Sequence, residues 1–426
     1  MSARAGVVLI VVVALVARAA VVLASPHYQP RTDAADFDRS AVSLAAHGRF
    51  PTSDVTIAHG PTAFRPPLFP LALGVVYRVV GVGSEKVRWE WGRLFEAVLG
   101  AVAVLLVCLV AWRLWGAVVG LVAGAVAAVY PPLVLVGSSL LSESLFIPLV
   151  LAAVWAALRA RDGSGRWWVW PLVSGVFVGL GALTRGNGVV LVIPVAFLLW
   201  TGRPRRSWPA LRPLVVMLAA VVLTLVPWTV RNASAFHQFV PVTTETGYAL
   251  AGTYNTAAQN QHPYRALWIP PLADLGHFLA QHPGGNEAQA SSALTKDALR
   301  YVRHHPGSVP RTAYFTFLRL FSLSGPGFER YVARFEAYPP WLAVASMYAF
   351  WAALGLAIAG AFTVEARRAP AALWWIPAVI VLTCLFFEGS TRYRAPADPY
   401  VLVLSALGLI ALAERVRGRP RAAEAR

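Results

Sequence analysis

The sequence predicts an all-α integral membrane protein, a multi-span bundle of about ten transmembrane helices with helical extracytoplasmic loops. Three observations predict it. Of 426 residues, 57% are hydrophobic and only 13% are charged, whereas a soluble domain carries about 25% charged residues. Apolar runs near the roughly 20 residues needed to cross a bilayer recur along the whole chain. Arginines gather in short stretches between those runs, as they do on the cytoplasmic side of a membrane.

The first apolar run, 6–25, is interrupted by Arg18. The core of a cleaved signal peptide disfavours such a charge, so the run is expected to be a retained helix. A polar stretch, 26–65 with a possible extension to 92, follows as a first extracytoplasmic loop. Inside that extension, 66–82 is apolar but short and led by proline. Further spans are expected at 94–112, 117–136, 141–158, 168–184, 188–202 and 209–229. Residues 231–340 are too polar for lipid and long enough to carry helices of their own. The chain then returns to apolar runs at 341–362, 371–387 and 397–414 and ends in a basic tail. Three regions result: an N-terminal bundle 1–230, a large extracytoplasmic loop 231–340, and C-terminal spans with the tail, 341–426.

Basic clusters orient these spans. Arg4, the group Arg159, Arg161 and Arg166, and the group Arg203, Arg205 and Arg206 are expected in the cytoplasm. Arg367 and Arg368, and Arg415, Arg417, Arg419 and Arg421, are expected there too. Ten crossings satisfy every cluster only if 66–82 does not cross, which makes it a re-entrant or interfacial helix. The formal net charge is +17. Because the excess lies in short loops and the tail, no nucleic-acid partner is expected. Cys108 and Cys384 both fall in apolar runs, so no disulfide framework is expected.

The chemistry-bearing residues lie outside the spans or at their outer ends. The segment after the first helix holds Asp33, Asp36 and Asp38. A carboxylate at the membrane surface can act as general base toward an incoming hydroxyl. Alternatively, these acids form the first turn of a surface helix, where they favour its dipole. In a helix Asp33 would share a face with Phe37, with Asp36 turned elsewhere. Arg65, Arg185, Arg231, Arg392 and Arg394 fall at outer helix ends, where the positive-inside rule predicts depletion. Arginine binds phosphate bidentately and keeps its charge when desolvated; the alternative is snorkelling to the interface. Arg18, an ionisable group within a span, joins them as a candidate. Glu143 opens the 141–158 run, either to orient an arginine such as Arg65 or to cap the helix. Metal spacing is weak: His304 and His305 are adjacent, and His277 and His282 are five apart. Neither matches a helical ligand pair. No cofactor is therefore expected to be required, and a divalent cation has no support from spacing. No phosphate-cradling glycine loop or dinucleotide fingerprint is present, so ATP-driven transport has no support.

In order along the chain stand several short elements. An acidic stretch runs from Asp33 to Ala41, and Arg65-Pro66-Pro67-Leu68 closes the first loop. Ser142-Glu143 opens a helix, and a glycine-spaced run through Gly175, Gly179 and Ala182 ends at Arg185. Pro227-Trp228 leads to Arg231-Asn232, and Arg392-Tyr393-Arg394 precedes Pro396. In these elements the chain resembles the polyprenyl-phosphate-sugar-dependent glycosyltransferases of the GT-C fold. Within them it is similar to the protein O-mannosyltransferase and aminoarabinose transferase group. The resemblance implies a GT-C-type bundle and an inverting transfer of one sugar from a polyprenyl-phosphate donor to an extracytoplasmic protein, lipid or polysaccharide acceptor. It implies a multi-pass protein of the plasma membrane, in contact with membrane lipid. It places Asp33 at the catalytic position, and Arg65, Arg231, Arg392, Tyr393 and Arg394 around the donor phosphate. Glu143, Arg185, Arg18 and Asp36 are supporting residues. Ala34 stands where many relatives have a second acid, and Phe64 where some carry one, so no metal site is carried over. A secondary transporter or flippase of lipid-linked sugars is the alternative function, although no repeated halves are visible. A noncatalytic assembly protein that keeps the fold is another.

Overall fold

The computed structural model describes residues 2–56, 59–163, 166–200, 208–387 and 389–417. The basic residues Arg203, Arg205, Arg206, Arg419 and Arg421 lie outside the described residues. Regular structure among the described residues is helical, apart from one isolated bridge between Thr52 and Pro61.

The N-terminal part holds α1 (Ala3–Leu23), α2 (Thr32–His47), α3 (Leu68–Val80), α4 (Glu85–Trp115), α5 (Ala117–Val129) and α6 (Pro131–Val136). It continues with α7 (Glu143–Arg161), α8 (Val169–Thr184), a 3-10 turn over Gly186–Leu191, α9 (Val192–Trp200) and α10 (Trp208–Phe236). The long polar segment folds into α11 (Glu245–Thr253), α12 (Thr256–Asn260), α13 (Leu272–Gln281), α14 (Glu287–His304), α15 (Ser308–Leu320) and α16 (Gly325–Phe335). Last come α17 (Pro340–Ala361), α18 (Val364–Arg368), α19 (Ala371–Leu385), α20 (Thr391–Arg394) and α21 (Asp398–Val416).

Among the described residues, six helices are long and apolar enough to cross a membrane: α1, α4, α7, most of α10, α17 and α21. Between them α5, α8, α9 and α19 are apolar but shorter. The chain is thus an all-α, multi-span membrane protein. Helices α17 and α21 approach until backbones touch. A Cβ on Gly360 would lie 2.0 Å from the Leu404 carbonyl oxygen, and one on Gly408 would lie 2.1 Å from that of Leu356. Small residues are what allow such contact between membrane helices.

The expected single helix 117–136 is broken. Tyr130 is extended, at φ −68° and ψ 113°, ahead of Pro131 and Pro132, because a residue before proline avoids the helical region. Pro132 has no N–H to offer the Ala128 carbonyl. Arg18 supplies one: its Nη1 donates to the carbonyls of Ala128 (3.1 Å) and Ala14 (2.9 Å). The side chain is 1% exposed and packs against Gly100 and Gly137. Arg18 therefore patches a helix break deep in the bundle, and the structure gives it no place beside the other candidate residues.

The apolar segment 66–82 forms α3, which packs on α2. Phe37, Ala41 and Ala45 repeat every four residues on α2 and face Phe69, Leu73 and Tyr77, repeating likewise on α3. The Phe37 and Phe69 rings meet edge to face at 5.0 Å. Each large side chain so buried contributes about 1.5–3 kcal/mol. Gly48, at φ 67°, ends α2 in the left-handed conformation. This α2–α3 pair caps one end of the bundle, where its core continues through Leu140, Leu141, Tyr338 and Leu342.

Candidate active site

Asp33 lies in the first turn of α2. Its Oδ1 accepts from Arg65 Nη2 at 2.5 Å and its Oδ2 from Arg392 Nη2. Arg65 comes from the loop before α3 and Arg392 from α20, more than three hundred residues further along. Arg65 also binds Asp36, from Nε at 3.1 Å and from Nη2 at 2.8 Å, and Glu245 at 2.5 Å. Arg392 donates from Nε to Glu143 at 2.7 Å and from Nη1 to Glu336 at 2.8 Å. Arg185, at the end of α8, binds Glu143 at 2.5 Å. The Tyr393 ring lies under both Arg392 (5.0 Å) and Arg185 (5.3 Å). Eight charged groups thus form one network, three arginines against five carboxylates.

Two further carboxylates hold the backbone that presents these groups. Glu287, at the start of α14, accepts from the hydroxyls of Ser53 (2.6 Å), Thr62 (2.8 Å) and Thr244 (2.5 Å) and from the Ala63 N–H (2.9 Å). It ties the segment leading to Arg65 to the residue before Glu245. Glu96, inside α4, accepts from the N–H groups of Ser139, Leu140 and Leu141 at 2.6–2.9 Å and from the Ser144 hydroxyl at 2.9 Å. It fixes the turn that delivers Glu143. Three residues in the left-handed region adjoin the site: Thr32 (φ 49°) beside Asp33, Leu140 (φ 54°) in the Glu143 turn, and Ala337 (φ 55°) beside Glu336. Each such residue costs on the order of 1–3 kcal/mol.

The network sets the proton affinities. Burial alone would raise Asp33, but Arg65 and Arg392 more than offset it and hold the carboxyl well below the usual range. Burial pushes Glu245 and Glu336 up, with Asp33 adding to the rise, while Arg65 and Arg392 oppose it. Arg65 and Arg392 are driven further into their charged forms by their carboxylate partners, against burial.

The expected residues separate into two groups. Asp33, Arg65, Glu143, Arg185, Arg392 and Tyr393 come together. Asp36 joins them, contrary to the expectation that it would face elsewhere. Residues three apart on a helix are neighbours, and Arg65 spans both carboxylates. Glu143 pairs with Arg185 and Arg392 and makes no bond to Arg65. Arg231 does not enter the network; it donates to the Thr62 carbonyl (2.9 Å) and the Asn232 side chain (3.0 Å) and lies over the Trp228 ring. Arg394 points the other way. It pairs with Asp398 at 2.8 Å, donates to the Leu320 carbonyl and lies against the Phe350 ring. Asp38 is held by Arg88 (3.1 Å) and the Tyr77 hydroxyl (2.8 Å) within the α2–α3 packing. Glu245, Glu336, Glu287 and Glu96 escaped the sequence, since each is a lone acid with no motif around it. Among the described residues, no group of three or more His, Cys, Asp and Glu is arranged to hold a metal ion.

Residues 64–230 match a family model described as dolichyl-phosphate-mannose-protein mannosyltransferase. No curated protein matches the chain. Among solved structures, the chain is similar to the oligosaccharyltransferase AglB of Archaeoglobus fulgidus, solved with an inhibitory peptide and a dolichol-phosphate. The TM-score is 0.59 at 13% identity, over 100% of this chain and 52% of that one. A second structure of the Archaeoglobus fulgidus enzyme, tethered to an acceptor peptide, matches at TM-score 0.57 and 13% identity over 97% and 50% of the two chains. ArnT from Cupriavidus metallidurans, bound to undecaprenyl phosphate, aligns at TM-score 0.47 and 18% identity over 98% and 79%. The chain spans about half the length of the oligosaccharyltransferase it matches. The chain has the GT-C fold of membrane glycosyltransferases, and within 64–230 it resembles the dolichyl-phosphate-mannose-protein mannosyltransferases.

Proposed function

We propose that the chain transfers a sugar, with inversion, from a polyprenyl-phosphate donor to a hydroxyl of an extracytoplasmic acceptor. Asp33 serves as general base, and Arg65 and Arg392 receive the donor phosphate. The observation that carries this reading is one carboxylate held between two arginines at the end of a membrane bundle. In the reaction the acceptor oxygen bonds to the anomeric carbon and its proton passes to Asp33. The bond from that carbon to the phosphate oxygen breaks, and polyprenyl phosphate leaves. Charge accumulates on the departing phosphate, where fixed guanidinium groups in a site of low dielectric stabilise it. Arg185 and Glu143 hold Arg392 from behind, and Tyr393 supports both guanidinium planes.

Supporting the carrier are the family description, which names a dolichyl-phosphate sugar, and the dolichol-phosphate in the AglB structure. The arginine clusters support an extracytoplasmic site in a plasma-membrane protein. The test is purified protein incubated with a panel of polyprenyl-phosphate sugars, scoring release of polyprenyl phosphate. Asp33→Asn keeps the shape and removes the proton acceptor, so turnover should fall about 10²–10⁴-fold. Full turnover in that variant would remove Asp33 from the mechanism, and no release from any donor would remove the function.

A further inference from the structure

Asp33 sits where an anion bridging two guanidinium groups would sit. One of its oxygens is on Arg65 Nη2 and the other on Arg392 Nη2. Every nitrogen of both guanidinium groups already meets a carboxylate. Glu245 holds Arg65 Nη1 and Asp36 holds its Nε; Glu143 holds Arg392 Nε and Glu336 holds its Nη1. A phosphate that bridges the two Nη2 atoms as Asp33 does must replace a carboxylate. Asp33 is the one carboxylate bound to both arginines, so its departure opens a donor on each at once. Glu245 and Glu336 would stay on the Nη1 atoms and keep the guanidinium groups aimed. The Asp33 side chain is 19% exposed, which leaves it a route out.

The same contacts silence the base. With both oxygens on guanidinium groups, and with its proton affinity held down by them, Asp33 gains little from accepting a proton. Away from the arginines, the burial that raises its proton affinity is no longer offset.

We propose that in the resting enzyme Asp33 occupies the place of the donor phosphate, and that donor binding displaces it from Arg65 and Arg392, freeing the base only when the donor is present. Binding is then ordered, donor before acceptor. The inference rests on the roles assigned above to Asp33 and the two arginines. It adds that the catalytic acid competes with the substrate for its site.

Binding of polyprenyl phosphate to the full-length protein in lipid nanodiscs tests it. Apparent affinity scales with the fraction of protein in the competent state. If the masked form outweighs the open one by about ten to one, Asp33→Asn should bind about tenfold tighter while losing turnover. Asp33→Ser should show the same gain, which guards against a folding effect peculiar to Asn. Asp36→Asn removes an equal charge from the same network but touches only Arg65, so its gain should be much smaller. The gain from Asp33→Asn should also vanish in an Arg392→Ala background. Equal gains from Asp33→Asn and Asp36→Asn would mean simple charge repulsion and would overturn the proposal. So would unchanged affinity in both Asp33 variants of a wild-type protein that binds carrier and transfers sugar, and the proposed function would survive. Failure of the wild type to bind the carrier would end both.

Discussion

At the scale of single residues, the molecule uses arginine in two ways that look alike in sequence. Arg392 and Arg394 are two positions apart and both nearly fully buried. Arg392 meets three carboxylates drawn from α2, the α7 start and the α16 end, whereas Arg394 meets only Asp398, one turn along the chain. The first arrangement gathers charge from distant elements at one point; the second is a local pair inside the bundle. Arg394→Met should therefore cost stability and leave carrier affinity alone. An uncompensated buried Asp398 should lower unfolding stability by about 3–5 kcal/mol, and adding Asp398→Leu should recover most of the loss. Thermal unfolding of the single and double variants, alongside polyprenyl-phosphate binding, checks both parts. Weakened carrier binding in a stable double variant would return Arg394 to the phosphate site.

At the scale of elements, the site depends on buried carboxylates that never touch it. Glu287 joins α14 to the segment carrying Arg65 and to the start of α11, which carries Glu245. Removing an acceptor leaves buried donors unsatisfied at about 1–3 kcal/mol each. Glu287→Ala should raise the donor KM more than it lowers kcat, and should speed hydrogen exchange at Ala63. Slow exchange at Ala63 in that variant would show that the segment is held by other contacts. Helix α16 contains another buried acid. Glu329 is 1% exposed, its Oε1 finds no hydrogen-bond partner among the described residues, and its Oε2 accepts from Thr391 at 3.3 Å, next to Arg392. Burial pushes its carboxyl up from 4.5 to about 7, with nearby donors and Arg394 offsetting only part of the rise. The folded protein then holds this proton more tightly than the unfolded chain. Its stabilising effect is complete below about pH 4.5 and is lost as pH climbs toward 7, by on the order of 3 kcal/mol. Glu329→Gln should flatten that part of the stability–pH curve, and an unchanged slope would assign the pH dependence to another group.

At the scale of the whole molecule, we propose that the polar segment 231–340 and the α2–α3 cap lie on the extracytoplasmic face, opposite the arginine clusters at 159–166 and 367–368. Both native cysteines are buried, so single cysteines can report the side. Gln281→Cys should react with an impermeant maleimide in intact cells, and Arg368→Cys should react only after the membrane is opened. The reverse pattern would invert the bundle. How much of this was legible follows from range. Apolar runs and their flanks are local, so the sequence alone determined an all-helical membrane bundle and the apolar helices that build it, whereas the individual helices of the polar segment were not placed. The break at Tyr130 was also written locally, in Pro131-Pro132, where a continuous helix was expected. Asp33, Arg65, Glu143, Arg185 and Arg392 were legible as candidates, because charge at the end of an apolar helix is costly and stands out. Their partners were not. Glu245 and Glu336 become part of the site only because the long polar segment folds back over α2 and sets each beside an arginine. Arg394 was indistinguishable from Arg392 by position, and Arg18 stood out only as a charge within a span. Only the tertiary structure decided their roles, since a buried guanidinium takes whatever acceptors surround it, carbonyls of a broken helix in one case and carboxylates from across the molecule in the other.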